Sequence, residues 1–171
     1  MSRAYRVLTL VVAAGIFAFG GITGFRLLTS SADTVDAAPT CTNKTVKKGE
    51  KLDSNLVTVN VFNSSTRSGL ANRVTINLQT NGFLGGVIGN NESATKPSRV
   101  AILTDDPRDP RVRLVASQFK DKVAYRKPDV TVDGGVVVIV GDDYAGLRKK
   151  APTRITSDRE ITACVPTTPL P

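Results

Sequence analysis

Residues 57–83 read VTVNVFNSSTRSGLANRVTINLQTNGF, and this stretch decides the fold. Val57, Val59 and Val61 alternate with polar residues, the period of a strand with one buried face. Asn63, Ser64 and Ser65 stop that strand, because their side chains compete with the backbone for hydrogen bonds and favour turns and caps. Leu70, Val74 and Leu78 then recur every fourth residue, which puts them on one face of a helix. Asn81-Gly82 ends the helix, since glycine suits the left-handed position after a helix. The unit is strand, polar loop, helix.

The chain after it repeats the theme. Leu84 to Asn90 is a short strand interrupted by glycines, and 91–98, NESATKPS, is a turn-rich loop. Residues 99–104, RVAILT, form a third strand whose apolar residues face both ways, as in an interior strand. Asp105-Asp106-Pro107 breaks it. A second helix is expected over 109–120, with Asp109 as N-cap and Pro110 in the first turn. Val112, Val115, Ala116 and Phe119 supply its apolar face. A fourth strand covers 123–126, Pro128-Asp129 turns the chain, and 136–140, VVVIV, is the most hydrophobic strand and the expected centre. A turn of helix is expected over 144–148. Residues 42–56 read as a polar lead-in with at most one helical turn, and the chain from Ala151 as a tail rich in proline and threonine. The expected fold is α/β (α+β): a two-layer sandwich, β-α-β-β-α-β plus an added strand, with two helices on a small mixed sheet.

The N-terminus is of another kind. Val7 to Phe25, VLTLVVAAGIFAFGGITGF, is an uncharged run of about nineteen residues, enough to cross roughly 30 Å of hydrocarbon as a helix. Arg3 and Arg6 precede it, so by the positive-inside rule the N-terminus stays in the cytoplasm and the rest is exported. A cleaved signal peptide is the alternative, with small residues around Val35-Asp36-Ala37, but its apolar core is normally shorter. The expected organisation is a cytoplasmic N-terminus and single membrane span over 1–28, a linker over 29–40, an extracytoplasmic domain over 41–165 and a tail over 166–171.

Lys and Arg number 23 against 15 Asp and Glu. Export turns this basic excess away from nucleic acid and towards anionic lipid heads or anionic wall polymers. A solvated basic surface is the plainer reading. Cys41 and Cys164 bracket the domain, one just before its first strand and one just after its last element. In an exported chain such a pair reads as a disulfide.

The chain contains no histidine. A Ser-His-Asp triad, a Cys-His pair and a histidine-based metal site are therefore excluded. No G-x-S-x-G elbow, P-loop or dinucleotide fingerprint occurs, and no cofactor or metal is expected. Asp105, Asp106 and Asp109, and the pair Asp142-Asp143, could serve a glycoside hydrolase or a hard cation. They also read as turn and cap formers. The polar loop with the helix it opens is a candidate anion site: Asn63, Ser64, Ser65, Arg67, Ser68, Gly69 and Arg73 lie where unpaired helix N–H groups attract phosphate or carboxylate. The same side chains could only cap the helix and close the turn.

At Val59-Asn60-Val61-Phe62-Asn63-Ser64-Ser65, Gly69-Leu70-Ala71, Gly82-Phe83 and Gly141-Asp142-Asp143-Tyr144 the chain resembles the LytR C-terminal domain family over about 57–147. The anchor, linker and bracketing cysteines look most like small envelope integrity proteins of actinobacteria. The resemblance implies a non-enzymatic, membrane-tethered protein supporting the cell envelope or cell wall. Wall ligases, other envelope proteins or anionic wall polymers are its expected partners. A binding module for a phosphorylated glycan or lipid is the second reading, and an aspartate-based envelope hydrolase the third.

Overall fold

The computed structural model describes residues 41–166, together with Val12 and Gly15 of the N-terminal segment. The expected span and linker otherwise lie outside the described residues. Among the described residues no helix is long and apolar enough to cross a membrane.

The expected sandwich is present. Strand β3 (Thr58–Asn63) leads through helix α1 (Leu70–Thr80) to β4 (Leu84–Asn90), which lies parallel beside it. Strand β5 (Val100–Leu103) leads through α2 (Pro110–Ala116) to β6 (Ala124–Arg126), again parallel. These are two βαβ units, and β7 (Val136–Val140) is inserted between them. It runs parallel to β3 and antiparallel to β5, giving the mixed order β4-β3-β7-β5-β6. The VVVIV strand is therefore central, and all five residues are buried. Each fully buried side chain of this size contributes about 1.5–3 kcal/mol relative to an exposed one.

One sheet face carries both helices. Val59, Val61, Val100, Ile102, Val136, Val138 and Val140 pack there with Leu70, Val74 and Leu78 of α1 and Val112, Leu114 and Val115 of α2. The other face carries Phe62, Leu103, Val137 and Ile139, against which Val130 and Val132 pack from the 127–135 segment.

Local signals explain both ends of α1. Gly82 has φ +87, its N–H donates to the Gln79 carbonyl, and the Phe83 N–H donates to that of Leu78. This is the two-bond closure expected of a left-handed glycine. At the start the hydroxyl side chains do not cap. Gly69, with φ +70, occupies the N-cap position without a side-chain cap bond.

Helix α2 begins as expected: Asp109 accepts from the Arg111 N–H and Pro110 opens the first turn. It ends four residues short of the expected 120. The Ser117 hydroxyl donates to the Leu114 carbonyl at 2.6 Å, offering a local alternative to helix continuation. Phe119 then leaves the helix to form an antiparallel bridge with Leu147. That bridge also replaces the helical turn expected over 144–148.

The lead-in and tail differ most from expectation. They contain β1 (Cys41–Val46), β2 (Lys51–Asp53), β8 (Arg154–Thr156) and β9 (Ile161–Pro166). Strands β1 and β9 form one antiparallel ribbon and β2 and β8 another. Val46, Leu52, Leu56, Ile161 and Ala163 join the helix-side core. Cys41 and Cys164 thus lie within strands, not outside the first and last elements. Cys41 pairs with Pro166 and Asn43 with Cys164, so the cysteines are diagonal neighbours on one ribbon face. The Cys41 side chain lies outside the described residues.

Candidate functional site

Strands β3 and β7 run parallel, so both end at the same edge of the sheet. There the polar loop after β3 meets Gly141-Asp142-Asp143-Tyr144 after β7. Asn63 organises the loop: its Oδ1 accepts from the Ser65 N–H and hydroxyl, and its Nδ2 donates to the Arg67 carbonyl. The Ser64 N–H donates to the Val140 carbonyl at 2.8 Å. The Thr66 N–H and hydroxyl donate to Asp142 Oδ1 at 2.8 and 2.7 Å. Arg67 reaches the Gly141 and Tyr144 carbonyls at 3.4 and 3.5 Å. Hydrogen bonds from the Thr66 backbone and hydroxyl hold the Asp142 carboxyl below its usual range.

Gly141 has no room for a side chain, because a Cβ would collide with the Pro97 and Ser98 carbonyl oxygens. Its N–H donates to the Arg99 carbonyl, and that of Asp143 to the Ser98 carbonyl. Tyr144 packs edge-on against Phe119, with ring centroids 6.3 Å apart. Burial pushes its hydroxyl up to about 12, with the nearby Asp121 charge acting the same way.

The seven candidate binding residues are distributed unevenly. Asn63 and Gly69 line a recess of about 180 Å³ with Ala71, Asn72, Ile88 and Asn90 at the start of α1. Ser64, Ser65 and Arg67 take part in the bonds that shape the loop and fasten it to its neighbours. Ser68 and Arg73 are exposed and do not line that recess.

Of the other candidate aspartates, Asp106 and Asp109 are also engaged, whereas Asp105 and Asp143 are exposed and their carboxylates make no bond among the described residues. Asp106 accepts from the Arg108 N–H and pairs with Arg159 at 2.5 Å, contacts that lower its pKa. Burial works against ionising Asp109, but its two-pronged pairing with Arg111, closest at 2.6 Å, prevails and lowers its pKa. Among the described residues no group of three or more metal-ligating side chains converges.

Asn60 was not singled out by its sequence. Buried in β3, it lies opposite a bulge where β4 has two residues, Gly86 and Val87, against one. Its Oδ1 accepts from the Val87 N–H and its Nδ2 donates to the Gly134 carbonyl, both at 2.8 Å. A Cβ on Gly86 or Gly135 would strike the Asn60 amide. The only sequence signal is a polar residue within an apolar strand flanked in space by glycines distant in the chain.

The fold and these motif residues define the class of protein. The family of LytR cell envelope-related transcriptional attenuators matches residues 56–144. The chain belongs to this family, and the matched region is accordingly an envelope-associated extracytoplasmic domain. No curated protein matches the chain. Among solved structures it is similar to the soluble domain of a conserved hypothetical secreted protein from Mycobacterium marinum. That likeness has 20% identity and a TM-score of 0.45, and covers 61% of this chain and 70% of the other.

Proposed function

We propose that this chain is a membrane-anchored, non-enzymatic envelope protein whose exported domain supports the cell wall by binding an envelope protein or a wall polymer. The carrying observation is the way the motif residues and their neighbours are used. Asn63 braces the loop after β3, and Thr66 and Arg67 beside it fasten that loop to Asp142 and Gly141 at the β7 corner. Residues spent on such ties suit a rigid binding frame, whereas catalysis needs a positioned, available acid, base or nucleophile. The uncharged run at 7–25 supplies the anchor in this reading.

Crosslinking in intact cells, followed by identification of what is attached, tests it. The expected products join the domain to an envelope protein or to wall fragments. Recovery of cytoplasmic partners alone would sink the reading. The hydrolase alternative has its own check in Asp105, an exposed carboxylate without a hydrogen bond among the described residues. If Asp105→Asn abolished function in an otherwise stable protein, the non-enzymatic reading would be wrong.

Binding of a phosphorylated glycan or lipid through Asn63, Ser64, Ser65, Arg67, Ser68, Gly69 and Arg73 is a second reading. The recess that Asn63 and Gly69 line favours it. Loss of wall-polymer binding in Arg73→Ala, whose side chain makes no bond within the domain, would support it. Unchanged binding would count against it.

A further inference from the structure

We infer that the domain has a separate site for phosphate groups, in a basic recess where β5 and β6 begin. The recess measures about 590 Å³ and is lined by Lys96, Arg99, Lys122 and Arg126. Its shape follows from register. Ala101 pairs with Ala124 and Leu103 with Arg126, and paired residues project from the same face. Arg99 and Lys122, just ahead of these two strands, line the same recess. Ala101 lies buried beneath the recess and the small Ala124 is partly exposed beside it, with long cationic side chains around them.

No carboxylate lines the recess. Asp121 lies 3.7 Å from Arg99, and Asp129 accepts from the Ala94 N–H at the rim. Among the described residues Lys96 and Lys122 have no ion pair, and the Arg126 guanidinium donates only to the Tyr125 carbonyl. Several cations therefore share one concavity with little internal neutralisation. Such a site favours a multiply charged anion, and guanidinium groups match phosphate oxygens in geometry. A bilayer is the poorer match. Membrane-surface segments insert large apolar side chains, and the apolar residues here are Ala94, Pro97, Val100, Ala101 and Ala124, of which Val100 and Ala101 are buried. A discrete phosphate-bearing chain fits better.

This site deepens the proposed binding role and rests on it, but its test does not depend on the cellular partner. The full chain in detergent micelles is titrated with inorganic tripolyphosphate by calorimetry. Saturable binding is expected, weaker as salt rises from about 50 to about 300 mM. Lys122→Ala with Arg126→Ala should weaken it by about tenfold or more, given the strength of charge-assisted bonds. Lys47→Ala with Lys48→Ala removes equal charge from an exposed turn and should leave it unchanged. If the first pair lowers the melting temperature, the exposed single change Lys96→Glu must still weaken binding in a protein that melts normally.

Equal weakening by both pairs, or no saturable binding, overturns the inference. Binding to phosphatidylglycerol vesicles without binding of tripolyphosphate overturns it in favour of a membrane surface. If tripolyphosphate fails while envelope crosslinks persist, the recess is lost and the broader function stands.

Discussion

Thr66 donates twice to a single oxygen of Asp142, through its N–H at 2.8 Å and its hydroxyl at 2.7 Å. The two residues are 76 positions apart, and the pair joins the loop after β3 to the last family motif. The bonds favour ionised Asp142 and lower its pKa from 3.8. Its folded pKa thus lies below the unfolded one. The linked stability is full above the unfolded value and is lost as pH falls through the folded pKa. Asp142→Asn should lower the melting temperature by a few degrees at neutral pH. The gap should close well below pH 3.8, where Asp142 is protonated in the folded and the unfolded state alike. Melting curves across this range check it, and a constant gap would contradict the account.

Asn60 gives a larger expected effect because it is buried and both of its bonds reach backbone groups. Asn60→Ala leaves the Val87 N–H and the Gly134 carbonyl without that partner. Each such loss costs about 1–3 kcal/mol. The urea midpoint should fall with little change in slope, since the surface exposed on unfolding is nearly the same. A change under about 0.5 kcal/mol, the range of ordinary surface substitutions, would refute the role.

Tyr144 should behave in the opposite way. Its buried hydroxyl oxygen has no hydrogen-bond partner among the described residues. Tyr144→Phe removes that group and keeps the edge-on contact with Phe119. Stability should stay level or rise by up to about 1 kcal/mol, because no bond is lost and an unsatisfied polar group is removed. Ultraviolet titration should show the last tyrosine of the parent ionising at about 12, and the variant should lack that step.

The cysteines provide the fourth prediction. Cys41 and Cys164 sit diagonally on the β1–β9 ribbon, and we propose that they are joined. Closing a loop of this length stabilises by about 4–5 kcal/mol in the chain-entropy model. Non-reducing mass spectrometry should find the linked peptides, and reductant should lower the melting temperature markedly. Two alkylatable thiols in the exported protein would refute the pairing.

The sequence by itself determined the elements whose signals are local. The valine alternation at 57–61, the four-residue spacing of Leu70, Val74 and Leu78, the Asp109-Pro110 start and the Gly82 stop specify their own backbone. The run at 136–140 announced a strand buried on both faces. Five strands and two helices in order were enough to define a mixed two-layer sandwich and its family.

The tertiary structure decided what depends on partners distant in the chain. Lys51 has no local reason to be in a strand, and becomes one by pairing with Thr156. Helix α2 stops early because Phe119 gains a bridge to Leu147. The loop at 63–69 read as an exposed anion site, yet most of its polar groups face bonds within the domain. Conversely, Lys96, Arg99, Lys122 and Arg126 read as scattered surface charge until the register of β5 and β6 gathered them. Hydrogen bonding and charge act through space, so periodicity along the chain could reveal which segments form elements but not which side chains meet.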